Sequence, residues 1–163
     1  MLSISRGIPL KMSARILTFL SLLVVCSGKS FAAHMITPWP ENKKGAVSLT
    51  FDDGYPSQFI LGVPALDARG LKGSFYIITA WAGKPLSADR WNSWKNVANS
   101  GHEIGSHTVS HPYLTSLSPT QVENELAVSK ATIDAQIISQ KCLTVIYPYG
   151  DFNSDVVSIT RNY

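Results

Sequence analysis

Three short clusters in this sequence hold the side chains that could do chemistry. Thr50-Phe51-Asp52-Asp53-Gly54 sets two carboxylates side by side, and Ser106-His107-Thr108-Val109-Ser110-His111-Pro112 sets two imidazoles four residues apart. Tyr147-Pro148-Tyr149-Gly150 makes an abrupt turn, since Pro fixes φ and Gly frees it, and such a turn can aim a peptide N–H into a pocket. Imidazoles at i and i+4 share a face if the segment makes one helical turn. They can then grip one cation, with a carboxylate completing a His/His/Asp set that leaves positions open for water and substrate. Neighbouring side chains on a strand point to opposite faces, so Asp52 and Asp53 can serve one site only where a strand gives way to a turn. Gly54 supplies that turn. Each cluster has a plainer reading: Asp-Gly turns are common, a His pair is as often a polar loop, and Pro-Tyr-Gly is an ordinary strand end. Their joint occurrence is what weighs against accident.

The elements that must position these clusters alternate in type. Ala46–Phe51, Gly73–Ile78, His102–Ser106 and Leu143–Tyr147 are short apolar runs suited to buried strands. Between them, Phe59–Arg69 has helical spacing and stops at Gly70. Asp89–Ser100 carries Trp91, Trp94 and Val97 along one side and stops at Gly101. The clearest helix begins at Ser118, with Pro119 at its first position and Gln121 placed for a capping box. Its apolar stripe is Val122, Leu126, Ile133 and Ile137. A last helix starts at Ser154. Strand–helix units in series imply parallel strands with right-handed crossovers, and the three clusters then fall at the carboxyl ends of the strands, where such folds keep their sites.

Residues 1–32 read as a secretory signal peptide. A basic stretch ending at Arg15 precedes the apolar run Ile16–Cys26 and the small-residue site Ser30-Phe31-Ala32. Spanning a bilayer takes about 20 apolar residues, so stable membrane insertion after cleavage is not expected. The secreted or periplasmic space is. Arg6, Lys11, Arg15 and Lys29 lie in that leader with no acid. Removing those four from the 14 basic residues leaves 10 against 11 acidic ones. A nucleic-acid partner is therefore not expected, since it would need a basic patch. Residues 33–163 hold one cysteine, Cys142, which reads as a small core residue with no partner for a disulfide.

In order and spacing the clusters resemble the polysaccharide deacetylase family, the NodB-like domain of carbohydrate esterase family 4. The likeness runs from about Ala46 to the end of the sequence: Thr-Phe-Asp-Asp-Gly, then His-Thr-x-x-His-Pro, then Pro-Tyr-Gly after the next long helix. The resemblance implies a distorted (β/α) barrel. A barrel of this class typically takes about 250 residues, so residues 33–163 are expected to form its N-terminal part, with parallel strands and no closure. It implies a hydrolase that removes N- or O-linked acetyl groups from a glycan. Asp53, His107 and His111 would hold a divalent metal, usually zinc, and Asp52 would be the catalytic base. The Tyr149 backbone N–H would help bind the oxyanion, and Tyr147, Pro148 and Gly150 would line the substrate turn.

Two departures from the family pattern bear on this. Nothing after Gly150 resembles the later Leu-x-His whose imidazole acts as the acid, and Ile146 stands where many members have an Arg beside the base aspartate. An inactive metal- or glycan-binding remnant is therefore the alternative. A metallophosphoesterase is weaker, because two His and one Asp make one metal site and not a bimetallic pair.

Overall fold

The computed structural model describes residues 39, 41, 43–82 and 90–163. The leader read over residues 1–32, and Asp89, lie outside them. Three parallel strands, β1 (Thr50–Phe51), β2 (Ser74–Ile77) and β3 (Glu103–Ser106), pair in the order β1-β2-β3. Phe51 sits opposite Phe75, Phe75 opposite Ile104 and Ile77 opposite Ser106. A further parallel bridge joins Ser106 to Val145. Neighbours in the sheet thus follow chain order, as in one winding of a barrel. A doubly wound sheet would reverse direction partway. Among the described residues the sheet does not close.

The strands are shorter than their apolar runs. Val47 is 86% exposed, and the run from Ala46 pairs only from Leu49, whose carbonyl accepts from the Ser74 N–H at 2.9 Å. β2 does not begin until Ser74, so the earlier residues of the run have no ladder to join. The strand expected over Leu143–Tyr147 is reduced to the single bridge. Ser106 N–H donates to the Thr144 carbonyl and Ile146 N–H to the Ser106 carbonyl, at 2.9 and 3.0 Å. Above that point β3 has ended, and Pro148 has no N–H to offer.

Helices cover the sheet where the apolar spacing calls for them. A π-helical turn, Gln58–Gly62, runs into α1 (Val63–Asp67), and the chain reverses at Gly70 with φ +64°. A short helix, α2 (Thr79–Ala82), follows β2 directly and has no separate signal in the sequence. α3 (Arg90–Asn99) buries Trp94 and Val97, with Trp91 packed at the margin. α4 (Pro119–Gln136) starts on a true capping box, with the Ser118 and Gln121 side chains each accepting from the other's backbone N–H. Its stripe of Val122, Leu126 and Ile133 is buried, and so is Ile137 just past its end. α5 (Ser154–Thr160) is capped by the Asn153 side chain.

The main core lies between β2, β3 and α3. Phe51 stacks on Phe75 with ring centroids 4.8 Å apart, and Phe59 meets Trp94 edge-on at 5.3 Å. Cys142 belongs to this core at 3% exposure. A second cluster of Leu114, Val122, Leu126 and Val156 packs α4 against α5. Gly105 is dictated by close approach: a Cβ there would lie 2.6 Å from the Tyr76 ring and 2.7 Å from Thr144 Oγ1. The result is a closely packed floor from which all three motif loops rise at one end.

Candidate metal centre

Asp53 leaves β1 with φ +71°, and Gly54 follows at +76°. The turn therefore begins one residue earlier than the glycine alone would suggest. A Cβ on Gly54 would come within 3.2 Å of Ile77 and 3.3 Å of Trp94, so glycine is needed there for room as well as for φ. The turn separates the two carboxylates. Asp53 is half-buried and faces the histidines, with Oδ1 3.6 Å from His107 Nε2 and 3.5 Å from His111 Nε2. Asp52 is exposed, and Gln58 Nε2 donates to its carbonyl.

The His107–His111 segment does not form the helical turn that would place i and i+4 on one face. It is a loop in which Thr108 (φ +67°) and His111 (φ +64°) are both left-handed. Those two residues fold the segment back, so that the two Nε2 atoms lie 3.1 Å apart. The ligand atoms of Asp53, His107 and His111 all fall within 4.8 Å of one another.

Hydrogen bonding sets the tautomer. His107 Nδ1 is 2.8 Å from the Ile146 carbonyl, which can only accept, so Nδ1 carries the proton and Nε2 presents a lone pair toward His111 and Asp53. Two imidazole lone pairs at this distance repel unless a proton or a cation lies between them. Burial, and then the neighbouring His107, hold the His111 imidazole below its ordinary value against the pull of Asp53, which favours the neutral ring that can ligate. One carboxylate oxygen and two neutral imidazole nitrogens are a donor set suited to a divalent ion such as zinc. The residues present fit the group.

The third motif borders this centre. Pro148–Gly150 is a single 3-10 turn in which Tyr149 has φ +59°, and the Tyr149 ring packs edge-on against His111 at 4.5 Å. Tyr113 stacks on Tyr149 at 4.1 Å. Asp151 fastens the turn, its two carboxylate oxygens accepting from the Thr115 N–H and hydroxyl at 2.8 Å each. Tyr147 and Pro148 differ from the expected substrate contacts: Pro148 is buried, and Tyr147 packs on the second core with its hydroxyl donating to Thr160 Oγ1. A large ring next to a proline without an N–H is better used as an anchor for the turn. Gly150 stays exposed, with φ +65°.

Two contributors escape a motif-by-motif reading, the Ile146 carbonyl and Glu125 on α4, which holds the His loop; the motif's own Thr108 has a hydroxyl that accepts from the His111 N–H at 3.1 Å. The one trace of α4's role in the sequence is a skipped beat in its stripe. Between Leu126 and Ile133 the buried position is Ser129, whose hydroxyl lies 2.7 Å from that of Ser106.

Residues 40–163 match the family model described as polysaccharide deacetylase. The chain belongs to that family. It is 29% identical over 126 residues to a chitooligosaccharide deacetylase of Sinorhizobium fredii (strain NBRC 101917 / NGR234), an alignment covering 76% of this chain and 56% of that protein. A gellan lyase from a Bacillus sp. is 34% identical over 121 residues, which cover 74% of this chain and 5% of the lyase. Among solved structures, the Streptococcus pyogenes deacetylase PplD in complex with acetate superposes with a TM-score of 0.68 at 27% identity, over 74% of this chain and 53% of that one. The chain therefore spans only part of the deacetylases it matches, from 22% of a Listeria monocytogenes peptidoglycan-N-acetylglucosamine deacetylase to 56% of the Sinorhizobium fredii protein.

Proposed function

We propose that this deacetylase-family chain carries the water-activating half of a metal-dependent deacetylase acting on an acetylated glycan. The observation that carries the reading is the convergence of Asp53, His107 and His111 at the strand ends, with Asp52 next in sequence and the Tyr149 turn alongside. Asp53 and the two Nε2 atoms would hold the ion. When bound, a divalent cation there supplies Lewis acidity, acidifying water and polarising an acyl carbonyl.

The chain's own residues account for the rest of the addition step. The Asp52 carboxylate accepts the proton that water loses as its oxygen adds to the acetyl carbon. The Tyr149 backbone N–H donates to the oxygen on which negative charge develops, and Asp151 keeps that turn in place. Collapse breaks the bond to the sugar nitrogen or oxygen and releases acetate. Among the described residues no third imidazole reaches the centre, since His102 is buried and bonded to Gly73 and Asp67. The departing nitrogen or oxygen therefore takes its proton from solvent water as acetate leaves. The leader-like residues 1–32 support export as the setting.

The test is acetate release from acetylated chitooligosaccharide and from acetylxylan by the protein loaded with Zn2+. Asp52→Asn is expected to lower turnover by about 10² to 10⁴ while zinc remains bound. Turnover unchanged in that variant would refute the assignment of the base. Zinc binding with no acetate release from either glycan would favour a binding-only remnant.

A further inference from the structure

The motifs that the family shares say nothing of what holds the loop between the two histidines. That loop needs holding. It places a His and, against stronger steric preference, a β-branched Thr in the left-handed region, which is uncommon for any residue but Gly. Left to its own preferences the segment would relax, and His107 and His111 would part.

Glu125 opposes that relaxation. One carboxylate oxygen accepts from the backbone N–H groups of both Val109 and Ser110 at 2.9 Å each, and the other accepts from the Ser110 hydroxyl at 2.6 Å. Three donors from the middle of the loop thus end on one side chain of α4. One turn further along the same face, Ser129 bonds Ser106, whose hydroxyl accepts from the Thr108 N–H. Glu125 is half-buried where most charged residues of an amphipathic helix are solvated, and it lies sixteen positions from Val109 in sequence.

We infer that Glu125 is a positioning residue for the cation site, its carboxylate pinning the Val109–Ser110 peptide so that both imidazoles stay aimed at one ion. This rests on reading Asp53, His107 and His111 as that site. Glu125 touches none of the three in the contacts described, so its action is one of reach and not of charge. A Gln at 125 can repeat the pattern, its carbonyl accepting the two N–H groups and its amide donating to Ser110 Oγ. An Asp keeps the charge but is one methylene too short to span the gap.

The experiment is Co2+ titration of the full chain, followed by visible absorption and calorimetry, beside apo thermal unfolding of each variant. Glu125→Gln is expected to bind within about threefold of wild type. Glu125→Asp is expected to bind about 10- to 100-fold more weakly, the usual cost of losing an outer-shell partner, with an altered cobalt spectrum. Both apo variants should still unfold cooperatively, Glu125→Asp at a lower temperature than Glu125→Gln because it leaves the Val109 and Ser110 N–H groups unpaired. Ser110→Ala, which removes one donor of three from an exposed position, should fall between wild type and Glu125→Asp. Glu125→Asp binding as tightly as wild type would overturn the inference, and so would Glu125→Gln being weakened as much as Glu125→Asp. A wild-type chain that takes up no Co2+ would bring down the cation site itself, and this inference with it.

Discussion

The two ends of the sheet use the same residue types for opposite purposes. At the amino end, buried His102 has both ring nitrogens engaged: Nδ1 accepts from the Gly73 N–H at 3.1 Å, and Nε2 lies 3.2 Å from Asp67, which Lys72 also meets at 2.5 Å. The Lys72 hydrogen bond above all holds the Asp67 carboxyl below its ordinary value, so this end is a closed and neutralised network. At the carboxyl end, His107 spends only Nδ1 on the protein, and its Nε2 faces another imidazole and a carboxylate. A histidine beside an aspartate is thus not itself a sign of function. What distinguishes the ends is whether the protein leaves donor atoms converging on a common point.

That contrast can be broken by substitution. The largest effect should come from His107→Ala, which removes a ligand. Zinc affinity measured by calorimetry is expected to fall by more than about 100-fold, beyond the range seen for outer-shell partners. His102→Ala should do the reverse. It strands the Gly73 N–H in a buried site at a cost of about 1–3 kcal/mol in denaturant unfolding, yet zinc affinity should stay at the wild-type value. Equal loss of zinc in both variants would dissolve the distinction between the two ends.

Asp151→Ala sharpens the comparison within the upper end. Loosening the Tyr149 turn should slow acetate release by about tenfold, the scale of a lost hydrogen-bonded support, and leave zinc binding unchanged. The smallest effect concerns the core between the ends. Burial pushes the Cys142 thiol above its ordinary value of 9.0. A group raised on folding contributes stability below its unfolded value and loses it as pH climbs toward the folded one. The apo chain should therefore lose stability above about pH 9, and Cys142→Ala should flatten that slope in a series of unfolding curves.

Features whose cause is local were readable in the sequence. The Ser118–Gln121 capping box, the α4 stripe and the Gly70 and Gly101 stops all depend on neighbours a few residues away, and all are present. Strand lengths were not readable, because Ala46–Ser48 and Leu143 depend on whether another chain segment lies alongside. The site divides in the same way. Its residues could be picked out by motif and by their place at strand ends, but spacing left the loop joining His107 to His111 open between a helical turn and a polar loop, and it is a left-handed reversal. Glu125 and Ser129 were invisible for a related reason. A carboxylate and a hydroxyl on a helix read as solvated until the distant loop that they hold is in place.

The central claim is convergence on one ion, and a zinc-soaked crystal of the full chain tests it most directly through anomalous maps collected on either side of the zinc edge. The account predicts one peak about 2.0–2.2 Å from His107 Nε2, His111 Nε2 and an Asp53 oxygen together. A peak bound elsewhere, or none among these three side chains at saturating zinc, would contradict it.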